Sequence, residues 1–241
     1  MVAPDLRGYG LTDKPSGVSN YSIDQLEEDV FALVKALGYE RCTLVGHDWG
    51  ARAAANACGL SPGIASHLAM LSVGYGTNTP DQKLTMEQTR LYWYHWFMAT
   101  PLGEKTVRAD PRGFARIMWD TWAPPGWYDE QEFAATAEAF QNDDWAEVVA
   151  HSYRHRWGLV EGDPAYDADE KVLSNLPVLS TPTLVIHGDA DGVNPIHSSA
   201  DKERWFSGRY HRVVMPGIGH FPQRESAIQV ADEILRFYRA G

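Results

Sequence analysis

The five residues Gly46-His47-Asp48-Trp49-Gly50 directly follow the apolar run Cys42-Thr43-Leu44-Val45. This order predicts a strand that turns sharply into a helix, with an aspartate at the apex and a glycine two residues away on each side. A carboxylate is ionised at neutral pH and needs no base to become a nucleophile, so Asp48 can displace a leaving group from a saturated carbon. The product is an alkyl ester on the enzyme. The N–H of Trp49 opens the following helix and points at the carboxylate, where it can later hold an oxyanion.

Breaking that ester with water calls for a histidine base and an acid to orient it. Both types of residue occur downstream, each after a strand-like run. Pro182 to His187 reads as a buried strand that ends in Gly188-Asp189-Ala190-Asp191-Gly192, and Tyr210 to Met215 is followed by Pro216-Gly217-Ile218-Gly219-His220-Phe221-Pro222. His220 is the candidate base. Asp189 and Asp191 are both available as the acid.

With these motifs the chain resembles the α/β-hydrolase superfamily, in particular its aspartate-nucleophile branch of soluble epoxide hydrolases, haloalkane dehalogenases and fluoroacetate dehalogenases. The segment Val2-Ala3-Pro4-Asp5-Leu6-Arg7-Gly8-Tyr9-Gly10 is similar to the strand end and loop before the elbow in these enzymes, and Gly46 to Arg52 is most similar to the epoxide-hydrolase elbow. The resemblance implies Asp191 as the acid, three residues after Gly188, with Asp189 as fallback. It also implies strands and a His-Gly-x-Pro loop upstream of Pro4, the source of a second oxyanion donor. The sequence lacks that segment, so bare sheet edges and a weakened oxyanion site are expected.

Around these motifs, apolar strands alternate with amphipathic helices, the pattern of an α/β fold with a mostly parallel sheet and helices on both faces. Tyr21 to Leu37 reads as a scaffold helix capped by Ser22, with Leu26, Val30, Leu33, Val34 and Leu37 on one face. A small-residue helix from Trp49 to Cys58 and a strand from Ser66 to Val73 follow. From residue 76 to 179 the alternation lapses into an aromatic-rich helical segment, read as an inserted lid between core parts 1–75 and 180–241. It holds seven of the nine tryptophans, most of which are expected to pack it onto the sheet.

Within the lid, Tyr153 resembles the epoxide-hydrolase tyrosine whose phenol donates to the epoxide oxygen. An alkoxide leaving group requires such a donor in a dry pocket. In Tyr92-Trp93-Tyr94-His95-Trp96-Phe97, His95-Trp96 resembles the halide-holding pair of fluoroacetate dehalogenases, while Tyr92 or Tyr94 is the second tyrosine of an epoxide hydrolase. Helical spacing puts Tyr92, His95 and Trp96 on one face, facing a shared pocket. The resemblance to fluoroacetate dehalogenases implies an arginine directly after the nucleophile to bind the substrate carboxylate. Trp49 stands there instead, leaving Arg52 as the substrate-binding candidate, and the Trp49 indole is a further halide donor.

The 241 residues carry a formal charge of -11 with a pI near 5.2, which argues against nucleic-acid and anionic-membrane partners. The sequence has no apolar stretch of membrane-spanning length and reads as soluble and cytoplasmic. Cys42 and Cys58 are expected as free thiols. Neither a metal-ligand spacing nor a phosphate loop is present, so cofactor-free hydrolysis is expected. The sequence therefore predicts an epoxide hydrolase acting on a small apolar epoxide through Asp48, Tyr153, His220 and Asp191, with Trp49 at the oxyanion. The alternatives are a dehalogenase of haloalkanes or haloacids and a hydrolase-fold protein that binds a small ligand without turnover.

Overall fold

In a computed structural model, residues 1–77, 82–140 and 142–240 are described. The start of the expected lid, residues 78–81, lies outside them. Four parallel strands run in sheet order β1 (Cys42–His47), β2 (Ala65–Leu71), β3 (Thr183–Gly188) and β4 (Tyr210–Met215). β3 is buried along its whole length, as expected for a central strand written in apolar residues. β1 is an edge strand among the described residues, and Val45 is 51% exposed on it.

Helix α1 (Ile23–Ala36) begins at Ser22, whose backbone N–H donates to Gln25 Oε1 in a capping box. Helix α2 (Trp49–Leu60) follows β1 and lies close on the sheet, because Ala51, Ala54, Ala55 and Cys58 keep its inner face small. The outward face of α1 differs from the sequence expectation. Leu26, Val30 and Leu33 are only half-buried, and Asp24 and Glu27 are buried instead. Apolar spacing ranks faces by hydropathy alone, whereas here the inward face meets polar groups, Glu27 accepting from Asn56 of α2 at 2.6 Å.

Between β2 and β3 stand α3 (Met86–Leu91), α4 (Trp93–Ala99), α5 (Pro101–Ala109), α6 (Pro111–Trp122), α7 (Glu130–Ala137), α8 (Trp145–Arg156) and α9 (Asp167–Ser174). Aromatic and methionine side chains of α4, α6 and α8 form a core of their own around Tyr94, Met98, Met118, Trp145 and Tyr153. After β4, α10 (Pro222–Glu225) and α11 (Ala227–Arg239) complete the chain, α11 packing Val230 and Phe237 against β3 and β4. No strand forms over Val2 to Gly10. Met1 and Val2 are exposed, and without a neighbouring ladder an extended segment has no partners for its peptide groups. Cys42 and Cys58 are free thiols. No helix is long and apolar enough to cross a membrane, among the described residues.

Candidate active site

The carboxyl ends of the strands bring Asp48, Asp191 and His220 together. Asp48 caps α2 with φ 45° and ψ -112°, a left-handed backbone that is costly for an aspartate. The turn is possible because Gly46 lacks a side chain: a Cβ there would lie 2.3 Å from the Gly50 carbonyl oxygen and 2.5 Å from the Ala51 nitrogen. Gly50 is not under the same constraint, since a Cβ on it would meet nothing within 4 Å. The tight approach is therefore one-sided, although a glycine stands on each side of Asp48.

The loops after β3 and β4 are drawn together at Gly188, where an added Cβ would fall 2.0 Å from the Ile218 carbonyl oxygen. This approach sets His220 Nδ1 2.9 Å from Asp191 Oδ2. The other oxygen of Asp191 accepts from the N–H groups of Val193 and Asn194 at 2.9 and 2.8 Å. Asp189 instead accepts from the Gly217 N–H at the exposed rim of the same loops. The structure thus separates the two aspartates by location. The Trp122 carbonyl accepts from both Gly192 and His220 N–H groups, pinning the acid loop and the histidine loop to the end of α6.

Two further histidines, singled out by no sequence argument, brace this arrangement. His47 Nε2 lies 2.7 Å from the His220 carbonyl, which also accepts from the Ser72 hydroxyl. Burial and the neighbouring His220 push His47 down to about 4, so it is neutral and donates. His187, fully buried, stands 3.3 Å from Asp191 Oδ2 and 3.0 Å from the Asn194 carbonyl. The available signal was position: His47 immediately precedes the elbow aspartate, and His187 ends the strand before the acid loop.

Charge in the site is strongly coupled. Burial raises the Asp48 carboxyl, but the nearby His220, with His47 and Arg52, outweighs it and holds Asp48 well below the usual carboxylate range. Burial likewise raises Asp191, and the charge of His220 with hydrogen bonds from His187 and His220 brings it down to about 2. For His220, burial lowers the imidazole, while Asp191 and Asp48 win and raise it to about 10. The buried imidazole lies between two carboxylates, and both favour its protonated form.

A cavity of about 230 Å³ opens beside Asp48, lined mainly by apolar side chains, including Met98, Met118, Trp122, Val149 and Phe221. Tyr94 and Tyr153 line it together, their rings edge to face at 5.3 Å. The Trp49 ring also meets the Tyr153 ring edge to face, at 5.5 Å. Burial and the Asp48 charge push the Tyr153 phenol up to about 12, so it is protonated at neutral pH. Tyr94 is raised too, by burial first.

The other candidates of the aromatic segment do not line this cavity. Tyr92 donates to Asn194 Oδ1 at 3.1 Å and stacks on His95, and His95 Nδ1 accepts from Trp157. Trp96 donates to the Thr89 carbonyl and packs on Trp157. The helix is interrupted at Tyr92 between α3 and α4, which breaks the simple spacing and turns Tyr94 inward. Arg52 donates to the backbone and hydroxyl of Thr77, lining a second cavity behind Trp49.

Parallel strands, intervening helices and two carboxylates gathered with a histidine at the strand ends define the class. The chain belongs to the alpha/beta hydrolase fold family, whose model matches residues 1–227. It is an α/β-fold hydrolase, similar to epoxide hydrolases and to a dehalogenase. It is 27% identical to Epoxide hydrolase A of Mycobacterium tuberculosis, over 98% of this chain and 81% of that protein. A solved structure of a provisionally assigned epoxide hydrolase from Klebsiella pneumoniae superposes with a TM-score of 0.89 at 30% identity, covering 97% of this chain and 79% of that one. A fluoroacetate dehalogenase of a Burkholderia species is 34% identical over 52% of this chain and 43% of its own length.

Proposed function

We propose that this hydrolase opens small apolar epoxides to diols through an ester on Asp48, and that residues 76–179 form the lid carrying its proton donors. The observation that carries this reading is the pair of phenols, Tyr94 and Tyr153, in the cavity wall beside the Asp48 carboxylate. Two convergent O–H groups suit one oxygen that gains charge as a C–O bond breaks. Asp48 forms a bond to a ring carbon, the ring C–O bond breaks, and the ring oxygen takes the proton of Tyr153. Tyr94 and the Trp49 indole hold the phenolate that remains.

Neutralising Asp48 as an ester removes one of the two anions that hold the proton on His220. Its affinity for the proton falls, and the imidazolium proton returns to Tyr153. Neutral His220, oriented by Asp191, then takes a proton from water as the water oxygen attacks the ester carbonyl. The backbone N–H of Trp49, which as the first helical residue has no intrahelical acceptor, holds the oxyanion. Collapse breaks the ester C–O bond, the leaving oxygen takes the remaining proton of the attacking water, and the diol departs, leaving the imidazolium and both carboxylates. His95, Trp96 and Arg52 lie away from this cavity, which leaves a haloacid without its halide pair or carboxylate partner there.

The test is a single turnover of a styrene-oxide-type epoxide in heavy-oxygen water. Diol should form, and label should enter the peptide containing Asp48, because water oxygen adds to the ester carbonyl. Label confined to the diol would exclude the ester. In a parallel panel, halide release from chloroalkanes or haloacetates without diol would favour the dehalogenase reading, and calorimetric binding without product would favour a ligand-binding role.

A further inference from the structure

We infer that the protein holds a divalent transition-metal ion between Asp24 of α1, His155 of α8 and Glu170 of α9, clamping the core to the helical segment above it. One carboxylate oxygen of Asp24, one ring nitrogen of His155 and one carboxylate oxygen of Glu170 lie within 4.8 Å of one another. An imidazole with two carboxylates is a donor set suited to zinc or a similar ion.

The burial of Asp24 points independently to a ligand. Its relative exposure is 2%, and neither carboxylate oxygen completes a hydrogen bond. The adjacent Ser22 hydroxyl is turned to Gln25 Oε1 instead. Burying an ionised carboxylate without a partner is costly, and a cation removes that cost. His155 Nε2 and Glu170 Oε1 are already 3.1 Å apart, close to the ligand spacing of about 3.3 Å that tetrahedral zinc bonds impose.

The chain also leaves room for the ion. A Cβ on Gly162 would lie 2.7 Å from His155 Nε2 and 3.0 Å from Glu170 Oε1, so the bare glycine keeps that flank open. The three residues line a cavity of about 400 Å³, which supplies an entry path and space for water as a further ligand. Of the cations lining the same cavity, Arg52 donates to Thr77 and Arg156 lies over the Trp49 ring at 5.0 Å.

The site serves as a tether rather than a reaction centre. α1 belongs to the core, whereas α8 and α9 belong to the inserted segment, so one ion joins α1 to two helices far from it in sequence. Stabilisation by such an ion follows mass action, because the unfolded chain does not hold the three ligands together.

The experiment uses the full chain stripped with EDTA, zinc chloride as probe, native mass spectrometry for stoichiometry, calorimetry for affinity and thermal melting for stability. One zinc per chain is expected, with Tm rising by about 5–10 °C at roughly a hundred times its Kd. Asp24→Asn, His155→Gln and Glu170→Gln should each weaken binding at least tenfold and remove the rise. His151→Gln, one helical turn away, should change neither. Glu170 is half-exposed, so its variant tests the site even where a change at buried Asp24 impairs folding. No rise in the wild type, or binding that survives both Glu170→Gln and His155→Gln, overturns the proposal. These readouts do not involve turnover and are separate from any test of epoxide opening.

Discussion

His220 Nε2 stands 3.8 Å from Asp48 Oδ2, beyond hydrogen-bond length, and completes no hydrogen bond of its own. Its other nitrogen is fixed on Asp191. The ring is thus held by one carboxylate and aimed at the other, with its outer nitrogen available for a water. For the proposed mechanism this geometry implies that loss of the imidazole leaves attack by Asp48 possible and stops the next step. His220→Gln should accumulate the ester, seen as a rise in intact-protein mass equal to that of the epoxide, while diol formation slows by about 10²–10⁴-fold. Rapid diol formation without an adduct would remove His220 from the base role.

The same charges make stability depend on pH. An unfolded histidine titrates near about 6.5, whereas folded His220 is raised to about 10 by Asp191 and Asp48 against the effect of burial. A raised folded value means that the stabilisation is fully present below pH about 6.5 and is lost as pH rises through about 10. Wild-type Tm should therefore fall across that window. In His220→Gln the fall should be shallower, as measured by calorimetric melts of both proteins at matched ionic strength. Parallel curves would show that His220 is not the group responsible.

The two phenols divide the proton-donor role. Tyr153→Phe removes the phenol proposed to protonate the ring oxygen, so ring opening should slow by about a hundredfold or more. Tyr94→Phe should cost less, because the Tyr153 phenol still supplies the proton. Single-turnover rates of ester formation read this directly, and Tyr92→Phe serves as the comparison, since its hydroxyl is held on Asn194. A larger loss in Tyr92→Phe than in Tyr94→Phe would reverse the placement of the second tyrosine.

The sequence made the elbow, the acid loop and the histidine loop legible because each is a local pattern: an apolar run, a strand end and a few turn-forming residues. The structure brings Asp48, Asp191 and His220 to one place, while Asp189, left open from the residues alone, ends at the rim. What sequence spacing missed depends on tertiary contacts. Tyr94 rather than Tyr92 lines the cavity because the helix is broken at Tyr92, which a continuous 3.6-residue period does not anticipate. The inward face of α1 was misjudged for a related reason: Asp24 and Glu27 are buried among groups from α2, α8 and α9 that are remote in sequence. His47 and His187 sit beside recognised motifs, but their partners, the His220 carbonyl for one and the Asn194 carbonyl, Ser199 and Asp191 for the other, are brought to them only by the tertiary fold.

The one-sided crowding of the elbow separates its two glycines. Gly46→Ala places a Cβ 2.3 Å from the Gly50 carbonyl and 2.5 Å from the Ala51 nitrogen, both of them backbone atoms that move only if the strand-to-helix turn opens. Overpacking of this kind costs about 1–3 kcal/mol and displaces Asp48, so both Tm and turnover should fall sharply. Gly50→Ala meets nothing within 4 Å and sits in the first turn of α2. There the exchange should be neutral or stabilising by about 0.5–1 kcal/mol, since alanine loses less backbone freedom in a helix. Melting curves and diol formation on the two variants check this. Equal damage at both positions would mean that the elbow is crowded from both sides, as the glycine spacing alone suggests.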